Sequence, residues 1–227
     1  MSTADQPDPQ RAQKEAAGRH AASYVQDGMR VGLGTGSTVH WTIVALGERE
    51  LDVVCTATSK RTEELARSVG LRVVPPDELG RLDVGVDGAD EIDPELNLTK
   101  GGGGALTREK IVARMCDRWI VVADEHKLVP KLGDFGTPLE ILPFAPRVVA
   151  SWLEALGATS VSVRPGSSDN GNLLVDARFG LIDDPRSLAA ELSAVPGVVE
   201  HGIFLRELVE RVVVAGGGGI RELVNER

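Results

Sequence analysis

An apolar run, Met29-Arg30-Val31-Gly32-Leu33, passes directly into Gly34-Thr35-Gly36-Ser37-Thr38 and then into a helical apolar run from Val39 to about Leu46. That is a strand, a glycine turn and a crossover helix, the opening of a βαβ unit. The alternation continues with strands at Leu51–Thr56, Leu71–Val74, Leu82–Val86 and Trp119–Ala123, and helices at Lys60–Val69 and Ala105 to about Cys116. Ahead of it, residues 11–27 carry Ala12, Ala16, Ala17, Ala21, Tyr24 and Val25 at helical spacing, closed by Asp27-Gly28. The pattern predicts an α/β fold, a mostly parallel sheet with helices on both faces.

The texture changes after Lys127, where Gly133, Gly136, Pro138, Pro143 and Pro146 break the chain. A strand (139–142), helix (147–156), strand (159–164), strand (172–178), helix (185–194) and strand (198–205) then follow. This β-α-β-β-α-β order is that of a split βαβ, ferredoxin-like α+β unit. Residues 207–227 look like a return to the first domain. The expected division is 11–132 with 207–227, then 133–206, with residues 1–10 as a disordered polar tail. A length of 227 residues suits two unequal domains.

Lys+Arg 25 against Asp+Glu 34 gives a net charge of −9, which argues against nucleic acid or an anionic membrane as partner. An anionic ligand would need cations concentrated locally. Aromatic residues make up 4% of the chain, too few for many stacking platforms. Cys55 and Cys116 lie far apart and form no CxxC, so reduced thiols in a cytoplasmic protein are expected. His20, His40, His126 and His201 lack metal-site spacing, and no metal is expected. The N-terminus lacks the basic and apolar regions of a signal peptide, and no apolar run reaches the roughly 18 residues of a membrane span.

Three segments could carry chemistry. Backbone amides and hydroxyls of Thr35, Gly36, Ser37 and Thr38 at a strand–helix junction suit a phosphate. The Gly-x-Gly-x-x-Gly spacing of a dinucleotide site fails, with Ser37 or Val39 at the third position. No Gly-Lys pair exists for a Walker loop. A small phosphate monoester fits better, although Ser37 could simply cap the helix. Next, Asp87-Gly88-Ala89-Asp90-Glu91-Ile92-Asp93 puts four carboxylates at the end of a parallel strand. That is a ligand position in open sheets, or else a solvated acidic loop or a cation site. Third, Lys100 precedes Gly101 to Gly104, a cation beside amides able to meet a developing negative charge. Glu109 shares a helix stripe with Ala105, Leu106, Val112, Ala113 and Cys116, with Arg108 and Lys110 to either side. A carboxylate on an apolar stripe has a raised pKa and suits a general base, though a lone Glu often turns out to pair with a neighbouring cation. A phosphate cradle, a base, acids and an oxyanion site together describe proton transfer beside the carbonyl of a sugar phosphate, with no cofactor required.

The set Gly32–Thr38, Thr58-Ser59, Val86–Ile92, Lys100–Lys110, and Ala123-Asp124 followed by Lys127 closely resembles ribose-5-phosphate isomerase of the A type. The likeness runs from about Lys14 to the C-terminus. The Lys100–Lys110 and Asp87–Ile92 blocks are highly specific, whereas the loop at 34–38 also resembles sugar-phosphate-sensing regulatory domains. The resemblance implies a Rossmann-like domain plus a ferredoxin-like one, and a homodimer or homotetramer. It implies interconversion of D-ribose 5-phosphate and D-ribulose 5-phosphate through an enediolate, in the non-oxidative pentose phosphate pathway. Residues matching Glu109 move the proton, those matching Asp87 and Asp90 serve the sugar oxygens and ring opening, and Lys100 with its glycines stabilises the enediolate. The substrate-binding set it implies is Thr35–Thr38, Asp87, Gly88, Ala89, Asp90, Lys100–Gly103, Lys127 and Lys14. Two departures stand out. Gly104 replaces a frequent Ala, and Gly216 to Gly219 replaces a short polar turn. A regulatory module using the same cradle without turnover would need neither Lys100 nor Glu109, and normally carries a DNA-binding segment that is not evident here.

Overall fold

The computed structural model describes residues 9–226. The expected tail therefore lies outside the described residues, except that Pro9 and Gln10 already belong to the first helix. In chain order the elements are α1 (Pro9–Ala22), β1 (Arg30–Leu33), α2 (Ser37–Glu48), β2 (Val54–Ala57), α3 (Lys60–Ser68), β3 (Arg72–Val73) and β4 (Val84–Gly88). Then come β5 (Glu91–Ile92), β6 (Leu98–Thr99), α4 (Leu106–Met115) and β7 (Trp119–Asp124). They are followed by β8 (Thr137–Ile141), α5 (Pro146–Ala155), β9 (Ser160–Val163), β10 (Leu173–Arg178), α6 (Pro185–Ser193) and β11 (Val198–His201). The chain closes with β12 (Ile203–Phe204), β13 (Arg211–Gly216) and β14 (Gly219–Val224).

Seven strands form the main sheet in the order β14-β13-β7-β4-β1-β2-β3, parallel except for the edge strand β14. Val31, Leu33, Val84, Val86, Ile120 and Val122 are fully buried between helix layers, which is why these strands read as continuous apolar runs. After β1 the chain winds outward through β2 and β3, then returns to lay β4 on the other side of β1. The carboxyl ends of β1 and β4 thus flank a topological switch point, the crevice where open α/β sheets bind ligands.

A second sheet, β11-β8-β10-β9, is antiparallel throughout and encloses Leu139, Ile141, Leu153, Val175 and Leu192. Its order is that of two interlocked βαβ units, as the element pattern predicts. The strand expected over 198–205 is instead two. Gly202 interrupts it, donating its N–H to Pro138 O at 2.7 Å and accepting Lys100 N–H at 2.8 Å. A Cβ there would lie 2.1 Å from Lys100 O, so only glycine permits this junction.

Beyond Gly202, β12 pairs with β6 in a three-stranded strip, β12-β6-β5, that sequence periodicity does not reveal. Two-residue strands are too short to show a period. The first helix is also shorter than the expected 11–27, ending at Ala22, whose carbonyl accepts a hydrogen bond from Arg49 Nη1. Gly217-Gly218 forms the tight turn of the β13–β14 hairpin, not a strand–glycine–helix cradle. Among the described residues no helix is long and apolar enough to cross a membrane, and Cys55 and Cys116 are free thiols.

Phe204 in β12 stacks on Trp119 of β7 at 5.7 Å between ring centroids, and both are buried. This contact fastens the strip to the main sheet directly behind Lys100. Phe204→Ala is expected to cost about 3–5 kcal/mol, read as a lower urea midpoint at unchanged slope.

Candidate active site

The two strand ends meet in register. Leu33 pairs with Val86, which sets Gly34 against Asp87, and Gly34 N–H donates to Val86 O at 2.9 Å. A Cβ on Gly34 would fall 2.1 Å from the Asp87 carboxyl carbon, so the glycine is what lets the carboxylate occupy its place. Asp87 Oδ1 accepts from Gly88 N–H at 2.8 Å and Thr35 N–H at 3.2 Å. The Thr35 hydroxyl joins those of Thr58, Ser59 and Thr62 within 3.0 Å, tying the loop to the start of α3. Ser37 does not cap α2. It is the exposed first residue of the helix, Gly36 holds the cap position with φ +148°, and no side chain satisfies the leading N–H groups. Those donors remain available at the positive end of the helix dipole.

Lys100 enters from the end of β6, 2% exposed. Its ammonium lies 3.1 Å from Asp87 Oδ1 and 3.4 Å from Glu109 Oε2, and donates to Gly88 O at 2.5 Å. Burial works against its charge, but the two carboxylates outweigh it and raise its pKa. Glu109 projects from α4, 3% exposed. Burial, then the nearby Asp87 charge, push its pKa up to about 8 against the pull of Lys100. One cation thus serves two buried carboxylates. Burial raises Asp87 as well, but two amide N–H groups and the shorter ammonium contact counteract it. Glu109 Oε2 and Asp87 Oδ2 both lack a hydrogen-bond partner, but only Asp87 also receives backbone N–H groups and the closer ammonium, so the spare proton belongs on Glu109 near neutral pH.

A cavity of about 260 Å³ collects Lys14, Thr35, Gly36, Ser37, Thr38, Gly88, Ala89, Asp90, Lys100, Gly101, Gly102, Gly103, Glu109 and Lys127. Every anticipated site residue lines it except Asp87, which is 1% exposed and sits behind the wall, in touch through Lys100 and the Gly88 backbone. Asp90 caps the glycine loop, its Oδ2 accepting from Gly102 N–H at 2.7 Å. The other two carboxylates of the acidic segment do structural work. Glu91 accepts from Gly133 and Phe135 N–H at 2.9 and 2.8 Å, and Asp93 from Asn97 at 2.7 and 2.9 Å. The segment is thus neither a solvated acidic loop nor a cluster gathered on one cation.

Sequence reasoning missed Arg61, which lines the cavity from the first turn of α3. It lies two residues after the Thr58-Ser59 motif, a position with no period or spacing of its own. Helical spacing sets Lys110 beside the stripe but does not show what it meets. Expected beside the buried stripe, this residue is 6% exposed and turned toward β11, 2.7 Å from Glu200 Oε1 and 2.6 Å from His201 O. The helix α4 is therefore buried on two sides, one meeting the cavity through Glu109 and one the second sheet through Lys110.

The family model for ribose 5-phosphate isomerase A (phosphoriboisomerase A) matches residues 54–219. The ribose-5-phosphate isomerase A of Thermomicrobium roseum is 47% identical over 224 residues, covering 94% of each chain. That of Bradyrhizobium diazoefficiens is 46% identical over 226 residues, 92% of this chain and 93% of its own. A solved D-ribose-5-phosphate isomerase in complex with phospho-erythronic acid superposes with a TM-score of 0.90 at 38% identity, over 94% of this chain and 98% of that one. The Neisseria gonorrhoeae ribose 5-phosphate isomerase A superposes at 0.92 with 34% identity, over 96% and 98%. With the family model over residues 54–219 and relatives matching across nearly its whole length, this chain belongs to the ribose 5-phosphate isomerase A family.

Proposed function

We propose that this chain carries out the isomerisation of its family, D-ribose 5-phosphate to D-ribulose 5-phosphate, with Glu109 as the base that moves the proton. The observation that carries this assignment is the buried Glu109 carboxyl, held beside Lys100 on the wall of a phosphate-sized cavity. The phosphate sits on the Thr35–Thr38 loop and the free N–H groups of α2, with Lys14, Arg61 and Lys127 around it. Asp90 and Asp87 serve the sugar oxygens during ring opening, Asp87 acting through the Lys100–Gly88 wall. In the open-chain sugar Glu109 takes the proton from C2. The C2–H electron pair becomes the C1–C2 double bond, and negative charge moves onto the C1 oxygen. Lys100 and the glycine-loop amides receive that charge without reorganising. The proton of the C2 hydroxyl passes to the C1 oxygen, and Glu109 returns its proton to C1, the C1–C2 double-bond pair forming the new C–H bond and the C2–O pair closing to a ketone.

A pure ligand-sensing module has no use for the Lys100–Glu109 pair. The resemblance further supports reaction without a cofactor, a cytoplasmic homodimer or homotetramer, and the division into 11–132 with 207–227 and 133–206. Light scattering reads the assembly directly. A carboxylic acid with the same phosphate handle, such as phospho-erythronic acid, presents a planar anion where the enediolate forms and is expected to compete with substrate.

Incubation with ribose 5-phosphate and a chelator is expected to form ketose at full rate. Turnover seen only after metal is added would overturn the cofactor-free mechanism. Glu109→Gln should retain substrate binding and lose about 10²–10⁴ in kcat, the usual worth of a general base. Near-normal turnover would place the base elsewhere. A base must be ionised, so kcat/KM should climb as pH rises, levelling off above a midpoint near the Glu109 pKa of about 8. A flat profile between pH 6 and 9 would contradict the assignment. Gly34→Ala, which drives a methyl into the Asp87 carboxyl, should reduce kcat about a hundredfold, the scale of an ångström's displacement in a catalytic group.

A further inference from the structure

One strongly bonded arginine of the second sheet reaches the glycine loop and has no role in the assignments above. Arg164 follows β9 and its N–H pairs with Leu174 O of β10 at 2.8 Å, so its backbone is fixed. Asp176 of β10 grips the guanidinium through Nε at 2.7 Å and Nη2 at 2.5 Å, a fork that fixes the plane of the group. The remaining nitrogen, Nη1, is aimed across the gap between the sheets. It donates to Gly101 O at 2.7 Å and to Gly102 O at 3.3 Å.

These two carbonyls govern the amides on the other side of their peptide planes. A trans peptide is flat, and its C=O and N–H point in opposite directions. Drawing the Gly101 carbonyl toward Arg164 turns Gly102 N–H the other way, where it meets Asp90 Oδ2 at 2.7 Å. Drawing the Gly102 carbonyl the same way turns out Gly103 N–H, which donates to no acceptor among the described residues while Gly103 lines the cavity. Glycine at 101, 102 and 103 has no side chain to hold these planes, and Gly101 sits at φ +112°. The Gly101 carbonyl also accepts Gly104 N–H at 3.0 Å, so Arg164 reinforces that plane, whereas its bond to Gly102 O is what holds the Gly102–Gly103 plane.

We propose that Arg164, held by Asp176, is a positioning residue for the isomerisation. It sets the peptide planes of Gly101 and Gly102, so that Gly103 N–H faces the enediolate oxygen and Asp90 faces the sugar. This makes the second sheet part of the catalytic apparatus without placing any of its side chains on the substrate. The proposal rests on the assignment of the glycine loop as the enediolate site.

The test compares Arg164→Lys, Arg164→Gln and Asp176→Asn with the full-length wild type and Glu109→Gln. Arg164→Gln is expected to lower kcat by about 10- to 100-fold, with KM for ribose 5-phosphate within threefold, because the phosphate cradle is untouched. The affinity for phospho-erythronic acid should fall by the same factor as kcat/KM. Arg164→Lys keeps the charge but not the fork, and should recover little. Asp176→Asn should shift the same parameters in the same direction, less far, and so carries the test if an Arg164 variant does not fold. The pH midpoint should stay where wild type has it, since Glu109 is not in contact with the clamp. A purely structural role would instead lower thermal stability while leaving kcat and analogue affinity of the folded protein unchanged. That result, or kcat within twofold of wild type in Arg164→Gln, overturns the proposal. If Glu109→Gln is itself unimpaired, the site assignment fails first. An impaired Glu109→Gln beside an unimpaired Arg164→Gln removes the clamp alone.

Discussion

One buried ammonium stands between two buried carboxylates, and the rest of the site is arranged around that imbalance. Lys100, Asp87 and Glu109 are each no more than 3% exposed. Taking ions out of water costs several kcal/mol each unless partners compensate, and one cation cannot fully compensate two anions. The fold resolves the conflict unequally. Asp87 receives two backbone N–H groups and the closer ammonium contact, while Glu109 receives the longer one. Burial raises both carboxylates, but the charge is favoured on Asp87, and Glu109 is held near the point of gaining or losing a proton. Proton shuttling between adjacent carbons needs such a group.

Crowding three ionic groups into one wall also requires backbone to approach backbone closely, and this explains glycines that motif reading alone leaves ambiguous. Gly34 yields its side-chain space to the Asp87 carboxyl, and Gly202 yields its own to the Lys100 carbonyl. The first lies in the phosphate loop and the second in a strand that sequence periodicity reads as continuous. Both serve the same cluster from opposite sides. Trp119 and Phe204 complete the setting, each ring within 6 Å of the Lys100 ammonium, so the cation faces aromatic surface where it does not face carboxylate.

What was legible in the sequence follows from what periodicity and spacing can encode. Buried parallel strands and the Glu109 stripe are local patterns, and they appear where 29–33, 82–86 and 105–116 place them, within two residues. The β5, β6 and β12 strip has no local pattern, because two-residue strands are too short to show a period, and β12 joins β6 only by pairing across about a hundred residues. The partners of Lys110 escape a sequence reading for a related reason. Helical spacing shows which residues share a face but not that a second sheet covers the adjacent face, where Glu200 and His201 wait. Arg61 was invisible because an arginine at the start of an amphipathic helix looks like any solvated cation. The Asp87 assignment shows the converse limit. The motif singles out Asp87, but not that its side chain sits behind the cavity wall, 1% exposed.

The net charge of −9 acquires meaning at this scale. Most arginines of the described chain are tied to carboxylates or carbonyls, as with Arg19, Arg67, Arg118 and Arg211. Lys14, Arg61 and Lys127, by contrast, line the cavity with no carboxylate within ion-pair distance among the described residues. Against a net negative chain, these cations concentrate positive potential at the site proposed for the phosphate. The same cavity is also lined by Asp90 and Glu109, with Asp87 behind Lys100, carboxylates that a phosphate avoids and neutral hydroxyls do not. Under the proposed function this charge separation draws the phosphate of a sugar phosphate to the cations and leaves its carbonyl end to Glu109.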